Sequence, residues 1–329
     1  MSNQLIDGFG RHITYVRLSV TDRCDLRCRY CMSEKMQFVP RNELLSLSEL
    51  ADLSAILIGR GVRRIRLTGG EPLVRRNILK LVEDIGAHIG QGLDEVTLTT
   101  NGTQLGAMAQ PLYDAGVRRV NVSLDSLKPE QFRMITRNGD LAQVLAGLDA
   151  AGQAGLKVKI NMVALKGMNE DEIEPMLRWC GAQGHELTLI EAMPLGETGE
   201  DRTDHYMPLD AVRDTLARQH MLVPTLHRTG GPARYYDVPE LGTRIGFITP
   251  HSNNFCTGCN RIRITATGTV FGCLGQDQQI DLRDIMRSEG VDGVNRILDA
   301  VMIAKPKGHD FDIGTNRPAV ARHMSVTGG

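Results

Sequence analysis

Tyr15-Val16-Arg17-Leu18-Ser19-Val20-Thr21-Asp22-Arg23-Cys24-Asp25-Leu26-Arg27-Cys28-Arg29-Tyr30-Cys31 carries two patterns in succession. From Tyr15 to Val20 polar and apolar side chains alternate, the period of a strand whose two faces meet different surroundings. The rest closes on Cys-x3-Cys-x2-Cys, three thiols within eight residues. A cubane iron–sulfur cluster is usually held by four thiolates, so three leave one iron open to a ligand that is not protein. Structural zinc is the main competitor, but it wants four protein ligands, commonly as two separated Cys-x-x-Cys pairs. A disulfide set fits worse, because thiols this dense strain the bridge geometry and no export signal precedes them.

The strand half of that stretch recurs. Short apolar-rich runs at Tyr15–Val20, Arg63–Leu67, Glu95–Thr99, Arg119–Leu124, Val158–Val163 and Glu186–Glu191 are separated by helical periodicity, as at Leu50–Leu57, Ile78–Ile89, Val144–Ala154 and Ile173–Cys180. Ser46 with Glu49 three residues on is a capping box for the first helix. Strands alternating with helices imply parallel βαβ units. The turn Thr68-Gly69-Gly70-Glu71-Pro72 lacks the G-x-G-x-x-G spacing of a dinucleotide fold.

Parallel strands buried on both faces should be nearly continuous hydrophobics. Here Arg17 and Ser19 interleave with Val16 and Leu18, Arg64 and Arg66 with Ile65 and Leu67, and Thr97 and Thr99 with Val96 and Leu98. Asn121, Ser123 and Asp125 interleave with Val120 and Val122, and Lys157, Lys159 and Asn161 with Val158 and Ile160. The apolar set can pack on helices while the polar set lines a wet interior. A closed eight-stranded barrel fills its centre with branched apolar side chains. The expectation is therefore an α/β fold, an incomplete (β/α)6 barrel, whose basic lining (Arg17, Arg64, Arg66, Lys157, Lys159) receives an anionic ligand. A half-exposed antiparallel sheet would alternate in the same way, but the interleaved helices count against it. Residues 1–195 are read as the partial barrel, and 196–329 as a small C-terminal domain closing its open side. Between them, 197–234 yields only a short helix near Leu209–Gln219.

The chain has 329 residues, 38 basic and 39 acidic, for a net charge of −1. No whole-molecule field favours nucleic acid or an anionic membrane, so neither is an expected partner, and any anion site must be local. No apolar run approaches 18 residues and no leader precedes the fold, which points to the cytoplasm, where thiols stay reduced. Six of seven cysteines fall in two clusters. The seventh, Cys180, lies in a helical pattern as a small buried hydrophobe.

The second cluster is Cys256-Thr257-Gly258-Cys259, followed after thirteen residues by Cys273. It again supplies three thiolates. Zinc competes more strongly here, since His251 could complete a Cys3His set. Between the ligands, Arg261, Arg263 and Thr265 share one strand face, where guanidinium forks can recognise phosphates or carbonyl-bearing rings. A solvated edge strand guarded by charges would look the same.

Together these features resemble the radical S-adenosylmethionine (SAM) enzymes, and among them the GTP 3′,8-cyclase family of molybdenum cofactor biosynthesis. The embedded Asn260-Arg261-Ile262-Arg263 is the narrowest part of the match, which covers essentially the whole chain. The resemblance implies a lyase with two [4Fe–4S] clusters, ligated by Cys24, Cys28 and Cys31 and by Cys256, Cys259 and Cys273. It implies SAM contacts from Tyr30, Gly70, Ser123 and Met193, and GTP contacts from Arg17, Arg66, Thr99, Lys159, Arg261 and Arg263, the last two also as catalytic positions. In the family, a reduced cluster cleaves SAM to a 5′-deoxyadenosyl radical. That radical takes H3′ of GTP, and the ribosyl radical closes on C8 to give (8S)-3′,8-cyclo-7,8-dihydroguanosine 5′-triphosphate. A flavodoxin or ferredoxin as reductant, and cyclic pyranopterin monophosphate synthase as recipient of the product, are implied with it. So is a functional role for the terminal Gly328-Gly329. Asp25 departs from the family's usual Asn, and its charge could lower the first cluster's potential. Two readings compete: another two-cluster radical SAM enzyme, such as a peptide-modifying one, and a non-enzymatic iron–sulfur or zinc sensor. Monomer and homodimer are equally compatible with the sequence.

Overall fold

The computed structural model describes residues 4–199, 202–252, 254–314 and 317–328, with nothing stated of the Arg202 side chain. Six parallel strands alternate with helices in its first part: β1 (Tyr15–Ser19), β2 (Arg64–Thr68), β3 (Glu95–Thr100), β4 (Arg119–Ser123), β5 (Lys157–Ala164) and β6 (Glu186–Glu191). The helices are α1 (Leu47–Gly59), α2 (Ile78–Gly86), α3 (Leu105–Asp114), the pair α4 (Pro129–Thr136) and α5 (Leu141–Gln153), and α6 (Ile173–Ala182). Ser46 and Glu49 form the capping box that starts α1. Sequence periodicity missed α3 and α4. The first carries Pro111 inside it, and neither has a side-chain hydrogen bond at its N-cap.

The apolar phase of each strand faces the helices. Val16, Leu18, Ile65, Leu67, Leu98, Val120, Ile160 and Leu189 are fully buried there, with Leu50, Leu53 and Leu57 of α1 packed in the same core. Each such side chain contributes about 1.5–3 kcal/mol on burial, and a one-residue register slip would turn the whole set inward.

Beyond residue 196 come the short α7 (Arg202–His205), α8 (Leu209–Leu216), then β7 (Val223–Pro224), β8 (Arg234–Val238), β9 (Thr243–Ile248), β10 (Arg261–Ile264), β11 (Thr269–Phe271) and β12 (Gln279–Asp281). The helices α9 (Arg283–Ala304), kinked at Gly290, and α10 (Met324–Thr327) follow. These strands do not stack as a separate layer. They extend the same sheet at both edges, in the order β12-β11-β10-β1-β2-β3-β4-β5-β6-β9-β8-β7. Strand β10 runs parallel to β1, and β9 parallel to β6. Residues 249–252 and 254–260 lie between these two edge strands, on the barrel's open side. The C-terminal segment returns to the end of β6, where Leu195 bridges Val320 and Ala319 N donates to Pro194 O at 2.8 Å. Among the described residues no helix is long and apolar enough to cross a membrane.

Glu71 ties the turn after β2 to the end of β3. Its carboxylate, with no solvent exposure, accepts from Leu73 N at 3.0 Å, Thr100 Oγ1 at 2.8 Å and Asn101 N at 2.6 Å. Burial nonetheless pushes it up to about 7. A carboxyl whose folded pKa is raised adds stability below its unfolded value and loses it as pH rises through the folded value. In metal-free protein, wild type should therefore gain thermal stability relative to Glu71→Gln as pH falls from 7 towards 4.5. A difference in melting temperature that stays constant across this window would contradict the assignment.

Candidate active site

The loop after β1 carries Cys24, Cys28 and Cys31 at the carboxyl ends of the strands. Its backbone packs against the Gly69-Gly70 turn so closely that a Cβ on Gly70 would overlap the Arg23 carbonyl. Gly70 N donates to Thr21 O, and Glu71 N to Arg23 O, each at 2.8 Å. The glycines thus have a packing reason independent of any ligand. Cys24 Sγ accepts from Leu26 N at 3.4 Å and lies 3.8 Å from Asn101 Nδ2. Burial pushes Cys31 up to about 12 and holds Cys24 and Cys28 high as well, so these thiols ionise only with a compensating positive centre such as iron. Asp25 is held by neutral donors, Asn101 Nδ2 and Thr103 Oγ1, both at 2.6 Å. Tyr30 donates its hydroxyl to Asp125 Oδ2 at 2.7 Å, while Asp125 Oδ1 accepts from Val163 N at 2.8 Å. Burial raises Asp125 to about 6. The Tyr30 ring is thereby fixed between the thiol loop and the ends of β4 and β5.

Cys256 and Cys259 lie between β9 and β10, and Cys273 follows β11. Burial opposes ionisation of Cys259, but Arg261 and Lys305 outweigh it and bring the thiol to about 7. His251 is turned away from a zinc role: its Nε2 meets Ala192 O at 3.1 Å, and its ring packs against Tyr206 and Phe311. Among the described residues no three His, Cys, Asp or Glu side chains converge on a single ion.

Between the triads, Arg263, Arg17 and Arg66 stand side by side on β10, β1 and β2 at one level of the sheet. Lys159 reaches the same space from β5. Arg17 is 8% exposed, Arg66 and Lys159 4%, and Arg263 9%, and none has a carboxylate partner among the described residues. Burial and the neighbouring charge of Arg66 push Arg17 down to about 9, and burial pulls Arg66 below its usual value. Lys159 and Arg263 are held well down, again by burial first and then by nearby guanidinium groups. Arg17 Nε, Arg66 Nε, Thr99 Oγ1, Asn161 Oδ1 and Thr188 Oγ1 are buried without hydrogen-bond partners. An unpaired buried charge costs several kcal/mol, and like charges on adjacent strands repel. The arrangement fits a multiply charged anion.

All six thiols line one cavity, together with Tyr30, Gly70, Ser123, Met193, Arg17, Arg66, Thr99, Lys159, Arg261 and Arg263. Two residues expected to face it, Lys157 and Arg64, instead sit at the amino-terminal rim. Lys157 is exposed and Arg64 lies 3.8 Å from Glu95, because each opens its strand. The tail also enters: Arg263 donates to Thr327 O at 3.2 Å and to Gly328 O, and the Ser325 amide donates to Cys31. Gly329 lies outside the described residues. Tyr235 and Lys305 were not legible in sequence. Tyr235, buried on β8, accepts from Lys159 Nζ at 2.8 Å, a contact set by a pairing across distant segments. Only Asp125 carried a signal, its place in the polar phase that continues two residues beyond β4.

Two sets of three thiols lining one cavity with orphaned polar atoms have the donor chemistry of open-iron [4Fe–4S] sites. Residues 18–180 match the radical SAM superfamily and 185–311 the molybdenum cofactor synthesis C family. The chain is 56% identical over its whole length to the GTP 3′,8-cyclase of Erythrobacter litoralis, covering 99% of that protein, and 56% identical to that of Rhizobium etli, covering 94%. Among solved structures, Streptococcus suis SuiB bound to S-adenosylmethionine superimposes with a TM-score of 0.60 at 13% identity, over 96% of this chain and 78% of that one. The enzyme anSMEcpe with bound AdoMet gives 0.60 at 16% identity, over 88% and 83%. At such identities the likeness is one of fold, the incomplete radical SAM barrel with its C-terminal extension. On its full-length identity to curated relatives, the chain belongs to the GTP 3′,8-cyclase family of radical SAM enzymes.

Proposed function

We infer that this protein is a lyase converting GTP to (8S)-3′,8-cyclo-7,8-dihydroguanosine 5′-triphosphate in molybdenum cofactor biosynthesis, with SAM and two [4Fe–4S] clusters as cofactors. The observation that carries the reading is the group of four buried basic side chains, without a carboxylate partner among the described residues, in one cavity with two thiol triads. Cys24, Cys28 and Cys31 hold the first cluster, and Cys256, Cys259 and Cys273 the second, with residues 1–195 as the radical-generating part and 196–329 as the part that holds the base. When bound, SAM and the reduced first cluster supply a 5′-deoxyadenosyl radical that takes H3′ of GTP.

The chain's own task is placement and exclusion of water. Tyr30, fixed by Asp125, Gly70 beside the thiol loop, Ser123 and Met193 hold SAM at the first triad. Arg17, Arg66 and Lys159 neutralise the triphosphate, with Thr99 donating beside them. Arg261, stacked 5.3 Å from Phe255, and Arg263 steer the nucleotide towards the second triad. Substrate then relieves the repulsion among the cations, which is binding energy stored in the fold. Arg263 also holds the tail, so Gly328 reports on the same site. An electron donor of the flavodoxin or ferredoxin type, and a cyclic pyranopterin monophosphate synthase to receive the product, complete the reading.

Burial favours the neutral form of Lys159 and bound phosphate its charged form, so GTP binding should be accompanied by net proton uptake, and affinity should fall as pH rises. Calorimetry at pH 8.5 in two buffers of different ionisation enthalpy measures this. Lys159→Met should weaken binding by roughly 10- to 100-fold and reduce the uptake, whereas equal uptake in both proteins would assign the protons to the neighbouring guanidinium groups. At the tail, a Cβ on Gly328 would overlap Thr68 Oγ1. Gly328→Ala should cut turnover at least tenfold with iron content unchanged, and wild-type turnover in that variant would remove the tail from the mechanism.

A further inference from the structure

Lys305 belongs to neither triad and does not line the cavity, yet it is only 3% exposed. It ends α9 and reaches the second triad from behind. Its ammonium donates to Gly272 O at 2.5 Å, to Arg261 O at 3.0 Å and to Cys259 Sγ at 3.7 Å. The two carbonyls stand at the start of β10 and just after β11, so one side chain clamps both arms of the hairpin that joins Cys259 to Cys273. Among the described residues no carboxylate pairs with it.

A neutral donor could clamp the hairpin as well. A buried cation costs several kcal/mol unless a negative charge faces it, and among the described residues the ionisable groups it faces are thiols of the second triad, Cys259 in contact and Cys273 nearby. The first triad is surrounded differently. Cys24 Sγ meets the neutral amides of Leu26 and Asn101, and the Asp25 carboxylate lies 3.8 Å away. One set of ligands thus has a cation on a sulfur, and the other an anion beside one.

We propose that Lys305 is a positioning residue that sets the reduction potential of the second cluster, holding it above that of the first. Positive charge and hydrogen bonds at a ligating sulfur stabilise the more negative, reduced state of a cluster. The substrate-side cluster is then the easier of the two to reduce. The proposal rests on the reading that Cys256, Cys259 and Cys273 hold a [4Fe–4S] cluster.

The test is a redox titration of the anaerobically reconstituted full chain, followed by electron paramagnetic resonance. Signals are assigned by comparison with a variant in which Cys24, Cys28 and Cys31 are alanine. Lys305→Gln and Lys305→Met should move the second cluster's midpoint to more negative potential, Lys305→Arg should restore it, and the first cluster should not move. A Lys305→Gln protein that keeps about four irons at the second site and titrates at the wild-type potential would overturn the proposal. So would a wild-type second cluster titrating below the first, or loss of second-site iron in all three variants, which would make Lys305 a structural post. Absence of second-site iron from the unsubstituted chain would instead overturn the functional reading beneath it.

Discussion

Repulsion among Arg17, Arg66, Lys159 and Arg263 is the constraint around which the rest of the structure is arranged. Three of the four are cross-strand neighbours and all are nearly buried. Nothing local favours this. The sheet tolerates it because the opposite phase of the same strands is packed against helices, and that apolar burial outweighs a few unfavourable charges. The balance leaves a folded protein with an unsatisfied site, whose affinity for an anion is supplied in advance by the fold.

The second dependence is topological. The thiol triads are more than 200 residues apart in sequence and meet one cavity only because β10 pairs with β1 while β9 pairs with β6. Cys256 and Cys259, two of the second triad's three thiols, lie in the chain between those edges. Arg11 reinforces this closure, donating to Cys256 O and Lys307 O at 2.8 Å and so tying the N-terminal segment to the ligand loop. Arg322 does likewise near Cys273, donating to Gln276 O at 2.6 Å. Arg11 and Arg322, from opposite ends of the sequence, therefore both brace the second triad.

Much of this was legible in the sequence, and the reason is periodicity. Alternation in Tyr15–Val20 and its successors located the six strands β1 to β6 and assigned Arg17, Arg66, Thr99 and Lys159 to the interior, but not the parallel strands β9 and β10 that flank them. Cysteine spacing singled out the six thiols that line the cavity. What could not be read depends on long-range pairing. Nothing local says that Arg261–Ile264 lies beside Tyr15–Ser19, that Tyr235 meets Lys159, or that Lys305 reaches Cys259. Alternation also cannot tell depth along a strand, which is why Arg64 and Lys157 were assigned inward and stand instead at the rim. Helices α3 and α4 escaped because Pro111 interrupts one pattern and a single turn of polar residues opens the other.

In the proposed reading, the cavity presents the ribose of GTP to chemistry generated at Cys24, Cys28 and Cys31. Turnover of the reconstituted protein with SAM and GTP deuterated at C3′, with mass analysis of the 5′-deoxyadenosine formed, tests it most directly. One deuterium per 5′-deoxyadenosine, appearing only when the nucleotide is present, is the predicted result. Unlabelled 5′-deoxyadenosine formed at the same rate without GTP would contradict the account.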